Sequence, residues 1–260
     1  MVFRYGAMLL FLWVTAIDSL SVARPAWAET WVESNVDTRT ALALRVGEAG
    51  LKTWLPAPWQ IDPVAAGPSK GANLSVFFVD RLLTHDAAGK VLGAGIDRIV
   101  AFIIPAKHPQ TGESAPFVIR VFTTNPQGVP GPYKNYVHAT IRREQTQQGA
   151  NLEPGTGGEQ WELRNAAGGL VDLRLQYQRG VPVRTTGESR PHSAVDPSFF
   201  RIYRVDQGLD VVRSIPAGID RVQGYQLRVT LTEFRKVFDG SEQLVSIAVV
   251  PWYLRQVYLP

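Results

Sequence analysis

The chain has no cysteine among its 260 residues. That absence excludes disulfides, thiolate nucleophiles and cysteine-ligated metals, and it leaves stability to the packed core. Dense basic runs are also missing: 27 basic and 23 acidic residues are interspersed, as at Arg201, Arg204, Asp206 and Asp210. No nucleic-acid partner is therefore expected. Lysine is scarce, occurring only at 52, 70, 90, 107, 134 and 236, so most of the positive charge is arginine. Arginine suits bidentate holding of carboxylates and phosphates. The histidines, at 85, 108, 138 and 192, show no metal-ligand spacing, and no cofactor motif accompanies them. The Gly-rich segment Gln145 to Gly158 is followed by no Gly-Lys-Ser/Thr, which excludes a phosphate loop and predicts a mobile surface loop.

Long apolar runs are absent except at the amino terminus. Gly6 to Ile17 is apolar apart from Thr15, and Ala26-Trp27-Ala28 offers small residues where a signal peptidase reads. The run is too short for the ~20 residues a spanning helix needs, and Asp18 and Pro25 interrupt any longer span, which argues against the competing reading of an uncleaved anchor. The pattern predicts a signal peptide over residues 1–28, cleavage before Glu29, and an exported protein, periplasmic or secreted. Its mature part, residues 29–260, carries 25 basic and 22 acidic residues. No stable membrane insertion is expected after cleavage, and homo-oligomerisation is left open.

What is present is mostly strand. Thr38 to Ala49 is the one long helix candidate, although Leu42, Leu44 and Val46 also fit an alternating strand. Leu51 to Ala72 is a proline-rich loop in which Trp54 and Trp59 are placed to pin it to a core. Strand-like segments follow at Leu74 to Leu83, Ile96 to Pro105, Phe117 to Thr124 and Tyr133 to Glu144. The last three are expected to be neighbours, since consecutive strands with short links usually pair. Gln160 to Arg164 and Leu170 to Gln178 read as a hairpin, with Val171, Leu173, Leu175 and Tyr177 on one face. Gly180 to Asp196 reads as a loop. Ser198 to Val205, Leu209 to Arg213, Gly224 to Leu231 and Leu244 to Val250 complete the strands, and Thr232 to Phe238 reads as a short helix. About ten strands and two short helices predict one mainly β domain: a closed or strongly bent antiparallel β-barrel with small helical additions.

His192, Ser193 and Asp196 have the residue types of a nucleophilic triad. Neighbours in sequence rarely point at one another, and no Gly-x-Ser-x-Gly elbow exists, so local backbone satisfaction is the expected role. The stretch that organises the chain is Gly131-Pro132-Tyr133-Lys134-Asn135-Tyr136, a rigid entry that aims aromatic and polar side chains toward a cavity. On a regular strand Asn135 would share a face with Tyr133 and Val137, and Lys134 would take the other. The candidate ligand-binding residues are Tyr133, Asn135, Tyr136, His138, Arg174 and Arg228. The two arginines lie on polar strand faces that line either a wet cavity or solvent.

Gly131-Pro132-Tyr133, together with Leu55-Pro56, Asn73 to Asp80 and Pro251 on the closing strand, resembles the acetoacetate decarboxylase-like superfamily. The resemblance implies a cone-like β-barrel around an enclosed pocket. It also implies a Schiff-base lysine whose pKa an adjacent lysine lowers. The chemistry departs from that pattern. Asn135 stands where the family enzymes carry a glutamate, and no lysine lies between Lys134 and Lys236. The expected role is therefore to bind a small organic acid or amphipathic molecule. A divergent keto-acid lyase and a cell-envelope interaction protein without a small ligand are the alternatives.

Overall fold

The computed structural model describes residues 29–260; the expected signal peptide lies outside the described residues. Fourteen strands run in chain order. They are β1 (Thr30–Arg45), β2 (Gln60–Ile61), β3 (Leu74–His85), β4 (Asp97–Lys107), β5 (Ser114–Thr123), β6 (Tyr136–Gln148) and β7 (Thr156–Asn165). β8 (Leu170–Gln178), β9 (Val183–Ser189), β10 (His192–Ser193), β11 (Ile202–Ser214), β12 (Ile219–Asp220), β13 (Val222–Val229) and β14 (Gln243–Leu259) follow. The main ladder has the order β12-β11-β14-β1-β3-β4-β5-β6-β7-β8-β13, with β9 on β11, β2 on β4 and β10 on β5.

Several sequence expectations change here. The helix candidate at Thr38 to Ala49 is strand β1 up to Arg45, with only a four-residue helix α1 (Glu48–Leu51) after it. The alternating reading of Leu42 and Leu44 is the one the fold uses, because both are buried against the core. Gln145 to Gly158 is largely strand: β6 and β7 pair from Ala139–Asn165 to Gln148–Thr156, leaving a short turn between them. Gly180 to Asp196 contains β9 and β10. Thr232 to Phe238 reduces to one 3-10 turn at Thr232–Phe234. Pro251 does not end its strand, since β14 continues to Leu259.

The expected neighbours β4, β5 and β6 are adjacent, but β5 and β6 run parallel. The twelve-residue link 124–135 gives the crossover that parallel pairing requires. Nor does the ladder close. Its ends, β12 and β13, do not pair, so the architecture is one large open mixed sheet and not a closed antiparallel barrel. At the seam Arg221 stands between them. Its backbone accepts from Gln178 N and donates to Val212 O, each at 2.8 Å. Its guanidinium bonds the Gln178 carbonyl and the buried Asp210 carboxylate.

Strand alternation explains what lies on each side. Leu42 and Leu44 of β1, Val76 and Phe78 of β3, and Val100 and Phe102 of β4 face Trp161, Leu173 and their neighbours on β6, β7, β8 and β13. Phe102 stacks on Phe234 at 4.4 Å, and Trp54 stacks on Phe234 at 4.6 Å, which pins the proline-rich loop to the core as its composition predicts. The intervening odd-numbered residues of β1, β3 and β4 point the other way and form the wall of a cavity.

Candidate functional site

A cavity of about 460 Å³ lies on the second face of β1, β3, β4 and β5, roofed by β9, β11 and β14. Much of its wall is apolar: Phe77, Val79, Ile99, Ala101, Ile103 and Val118. Two bulges re-aim strands into it. In β14, Ile247 and Val249 belong to the core, yet Val250, Tyr253 and Arg255 face the cavity. The change of parity falls at Pro251-Trp252, where β14 slips register against both β1 and β11. A bulge is where a strand proline costs least, and it turns the following side chains over. In β5 a register shift beside Arg120 does the same, so that Val118 and Val121 both face the cavity while Phe117 and Phe122 face the core.

The polar end is built from arginines. Arg39, Arg81 and Arg255 line the wall, with Asp37 and Glu33 behind them. Arg39 Nη2 meets Asp37 Oδ2 at 2.5 Å, and Arg81 Nε meets Asp37 Oδ1 at 3.4 Å. Arg201 Nη1 meets Glu33 Oε2 at 3.2 Å. Arg255 donates through Nε and Nη2 to the buried Asn35 side chain and packs over the Tyr203 ring. Arg39 lies over the Tyr253 ring at 3.3 Å, and its Nε is buried without a partner. Four guanidiniums thus face two carboxylates. Burial would raise the Asp37 carboxyl, but Arg39, Arg81 and Arg255 outweigh it and hold it below its ordinary value. Glu33 is also lowered: burial raises it, and Arg255, Arg81 and Arg201 outweigh that. Glu188 on the roof is tied to Arg190 and Arg204, which leaves the inner arginines uncompensated by it. Arginine cannot shed its proton to escape burial, so the excess positive charge favours an anion in the cavity.

Tyrosines flank the arginines. Tyr133 and Tyr203 share a hydroxyl–hydroxyl hydrogen bond of 2.5 Å. Burial, then the Tyr203 hydroxyl, raises the Tyr133 pKa well above its usual value; burial likewise raises Tyr136. Both hydroxyls stay protonated at working pH.

The Gly131–Asn135 segment is a turn, not the start of a strand. Gly131 and Lys134 have positive φ of 68° and 58°, and Lys134 N donates to Gly131 O at 3.1 Å. The turn breaks the alternation expected for this stretch. Tyr133 and Tyr136 face the cavity together, whereas Asn135 is buried behind it and Val137 packs into the main core. Asn135 Nδ2 donates to Val118 O at 2.6 Å, and its Oδ1 is buried without a partner. Ser193 Oγ donates to Tyr133 O at 2.6 Å and accepts from the amides of Val195 and Asp196. It holds the turn, as its local backbone role predicts. Lys134 reaches outward to Asp196 at 2.9 Å.

The other candidates are not brought here. His138, Arg174 and Arg228 are exposed on β6, β8 and β13, and Arg174 faces Asp172 at 3.5 Å. The polar faces of β8 and β13 meet solvent, because their apolar faces already fill the core. Sequence reasoning missed Arg39, Arg81, Arg255, Tyr203 and Tyr253. Arg81 was within reach, since it continues the alternation Phe77-Val79-Arg81. None of the lysines lines the cavity, and no cluster of three or more metal-ligating residues occurs among the described residues.

No protein-family model matches the chain, and no curated protein matches it. Solved structures do. The enduracididine biosynthesis enzyme MppR, solved with pyruvate, aligns over 88% of this chain and 88% of its own at TM-score 0.56 and 9% identity. An acetoacetate decarboxylase-like enzyme from Sphingomonas wittichii RW1 aligns over 88% and 91% at TM-score 0.55 and 10% identity. A structure of acetoacetate decarboxylase aligns over 88% and 87% at TM-score 0.51 and 8% identity. The chain therefore shares the acetoacetate decarboxylase-like fold that the Gly131-Pro132-Tyr133 segment resembles.

Proposed function

We propose that the cavity binds a small organic acid or amphipathic acid by ion pairing and not through an imine. The observation that carries this reading is the Arg39, Arg81 and Arg255 wall, whose four-to-two balance of guanidinium over carboxylate includes Arg201 behind it. Arg81 is the chief ligand group: Asp37 takes only its Nε, so both terminal nitrogens are available for a bidentate contact. Tyr133, Tyr136 and Tyr203 add hydroxyls beside it. Asn135 supports the turn from behind. Imine chemistry needs a neutral lysine at the ligand, and Lys134 instead sits at the surface in an ion pair. The exported location belongs to the same proposal; a native protein whose intact mass included residues 1–28 would contradict it.

The fold neighbours favour one second reading, a divergent keto-acid lyase. Borohydride trapping with acetoacetate or pyruvate separates the two. No adduct is expected by intact mass. A stoichiometric adduct lost in Lys134→Ala or Lys236→Ala would overturn the binder reading. Calorimetric titration with short carboxylates tests it directly: Arg81→Met should weaken binding by ~10-fold or more, on the scale of a charge-assisted hydrogen bond of roughly 1.5–3 kcal/mol.

A further inference from the structure

The floor of the cavity is graded along its length, and the strand register shows the gradient row by row. At one end Arg81 stands opposite Asp37. The next row is Arg39, Val79 and Ile99. After it comes Ala41, Phe77 and Ala101, with Val121 beside Ala101. Then Ser75 meets Ile103, with Val118 alongside, and last Pro105 meets Pro116. Beyond Arg39 the floor thus offers one polar side chain, the Ser75 hydroxyl, in three successive rows. From Arg81 to Ser75 the strand advances six residues, which is roughly 20 Å at ~3.4 Å per residue.

That shape is poorly matched to a three- or four-carbon acid. A cavity of about 460 Å³ is in the range that encloses drug-sized ligands. A short keto acid held at Arg81 would leave the Phe77, Ile103 and Pro105 rows covered only by water, which apolar surface disfavours.

Building on the carboxylate reading above, we infer that the ligand lies lengthwise: a monocarboxylate with a medium-length alkyl tail, of the saturated fatty-acid class. The carboxylate sits between Arg81 and Arg39. The tail runs past Val79 and Phe77 toward Ile103. At roughly 1.3 Å of extension per methylene from ~1.5 Å carbon–carbon bonds, a chain of ten to twelve carbons occupies ~12–14 Å of that path. No bond is made or broken.

The test is a calorimetric titration of the mature protein with butanoate, hexanoate, octanoate, decanoate and dodecanoate below their micelle concentrations. Burying each methylene should tighten binding by roughly fourfold across the whole series. Ala101→Trp, which narrows the middle of the path, should flatten the rise beyond hexanoate and leave butanoate bound. Affinity independent of chain length, with short acids still lost in Arg81→Met, would overturn the lengthwise ligand and keep the carboxylate site. Octanol binding as tightly as octanoate would overturn the carboxylate reading itself. Failure of every acid in the series would sink both.

Discussion

Gly131 offers a sharp test of how the cavity wall is set. A β-carbon added there would lie 2.3 Å from Tyr136 Cγ, and the residue has φ +68°. Two costs therefore act in Gly131→Ala. The left-handed backbone costs an L-residue ~1–2 kcal/mol. The collision with the ring adds a further ~1–3 kcal/mol of overpacking. Gly218 supplies the control, because its φ is +66° and nothing lies within 4 Å of the added carbon. Gly218→Ala should show the backbone cost alone. Unfolded-state entropy changes equally in both variants and cancels in the comparison. Urea unfolding with an unchanged m-value should place Gly131→Ala ~1–3 kcal/mol below Gly218→Ala. Because the ring that must move is a cavity wall, octanoate affinity should fall for Gly131→Ala only. Equal losses for the two variants, within ~0.5 kcal/mol, would refute the packing of Tyr136 on Gly131 and with it the account of why both tyrosines face inward.

Two further outcomes follow from the core and the charge cluster. Phe102→Ala removes a fully buried ring that stacks on Phe234 and should cost ~3–5 kcal/mol in chemical unfolding; a loss under ~1 kcal/mol would mean the ring is not core. Asp37 is wholly buried, and despite burial its arginines hold its folded pKa below the unfolded value of ~3.9. Its contribution is fully present above pH ~4 and is lost as pH falls through the folded pKa, because the unfolded chain takes the proton first. Asp37→Asn should cost ~3–5 kcal/mol at neutral pH and show a shallower loss of stability below pH 4 than the unaltered protein. An identical acid slope in the two proteins would rule out a charged Asp37.

The β-rich class, the hairpin of β7 and β8 and the adjacency of β4, β5 and β6 were legible because they rest on local alternation and short links. The open ladder was not, since whether β12 and β13 pair depends on geometry accumulated over the whole sheet. Arg39 was hidden because its segment fits helical spacing about as well as strand spacing, and only the pairing of β1 with β3 and β14 decides between them. Arg255 was hidden by Pro251, which reads as a terminator until a bulge accommodates it. The tyrosine turn fails in a similar way: alternation assigns Tyr133 and Tyr136 to opposite faces, and positive φ at Lys134, unusual for a lysine, cancels that rule. Arg174 and Arg228 were legible as polar-face residues. Which medium that face meets is a property of the second layer and cannot be read from either strand alone.

The alternation of β1, β3 and β4 also bears on how such a molecule changes through descent. Even positions such as Leu42, Phe78 and Phe102 are constrained by a close-packed interior, where a lost methylene is felt at once. Odd positions such as Ala41, Phe77 and Ala101 border the cavity, where a change of size alters what fits and leaves no void inside the core. Constraints from cavity shape and from folding therefore fall on interleaved but separate sets of residues in the same strands. A change in what the cavity accommodates therefore does not require the sheet to be rebuilt. Solved structures with this fold at 8–10% identity show that the sheet accommodates almost entirely different sequences.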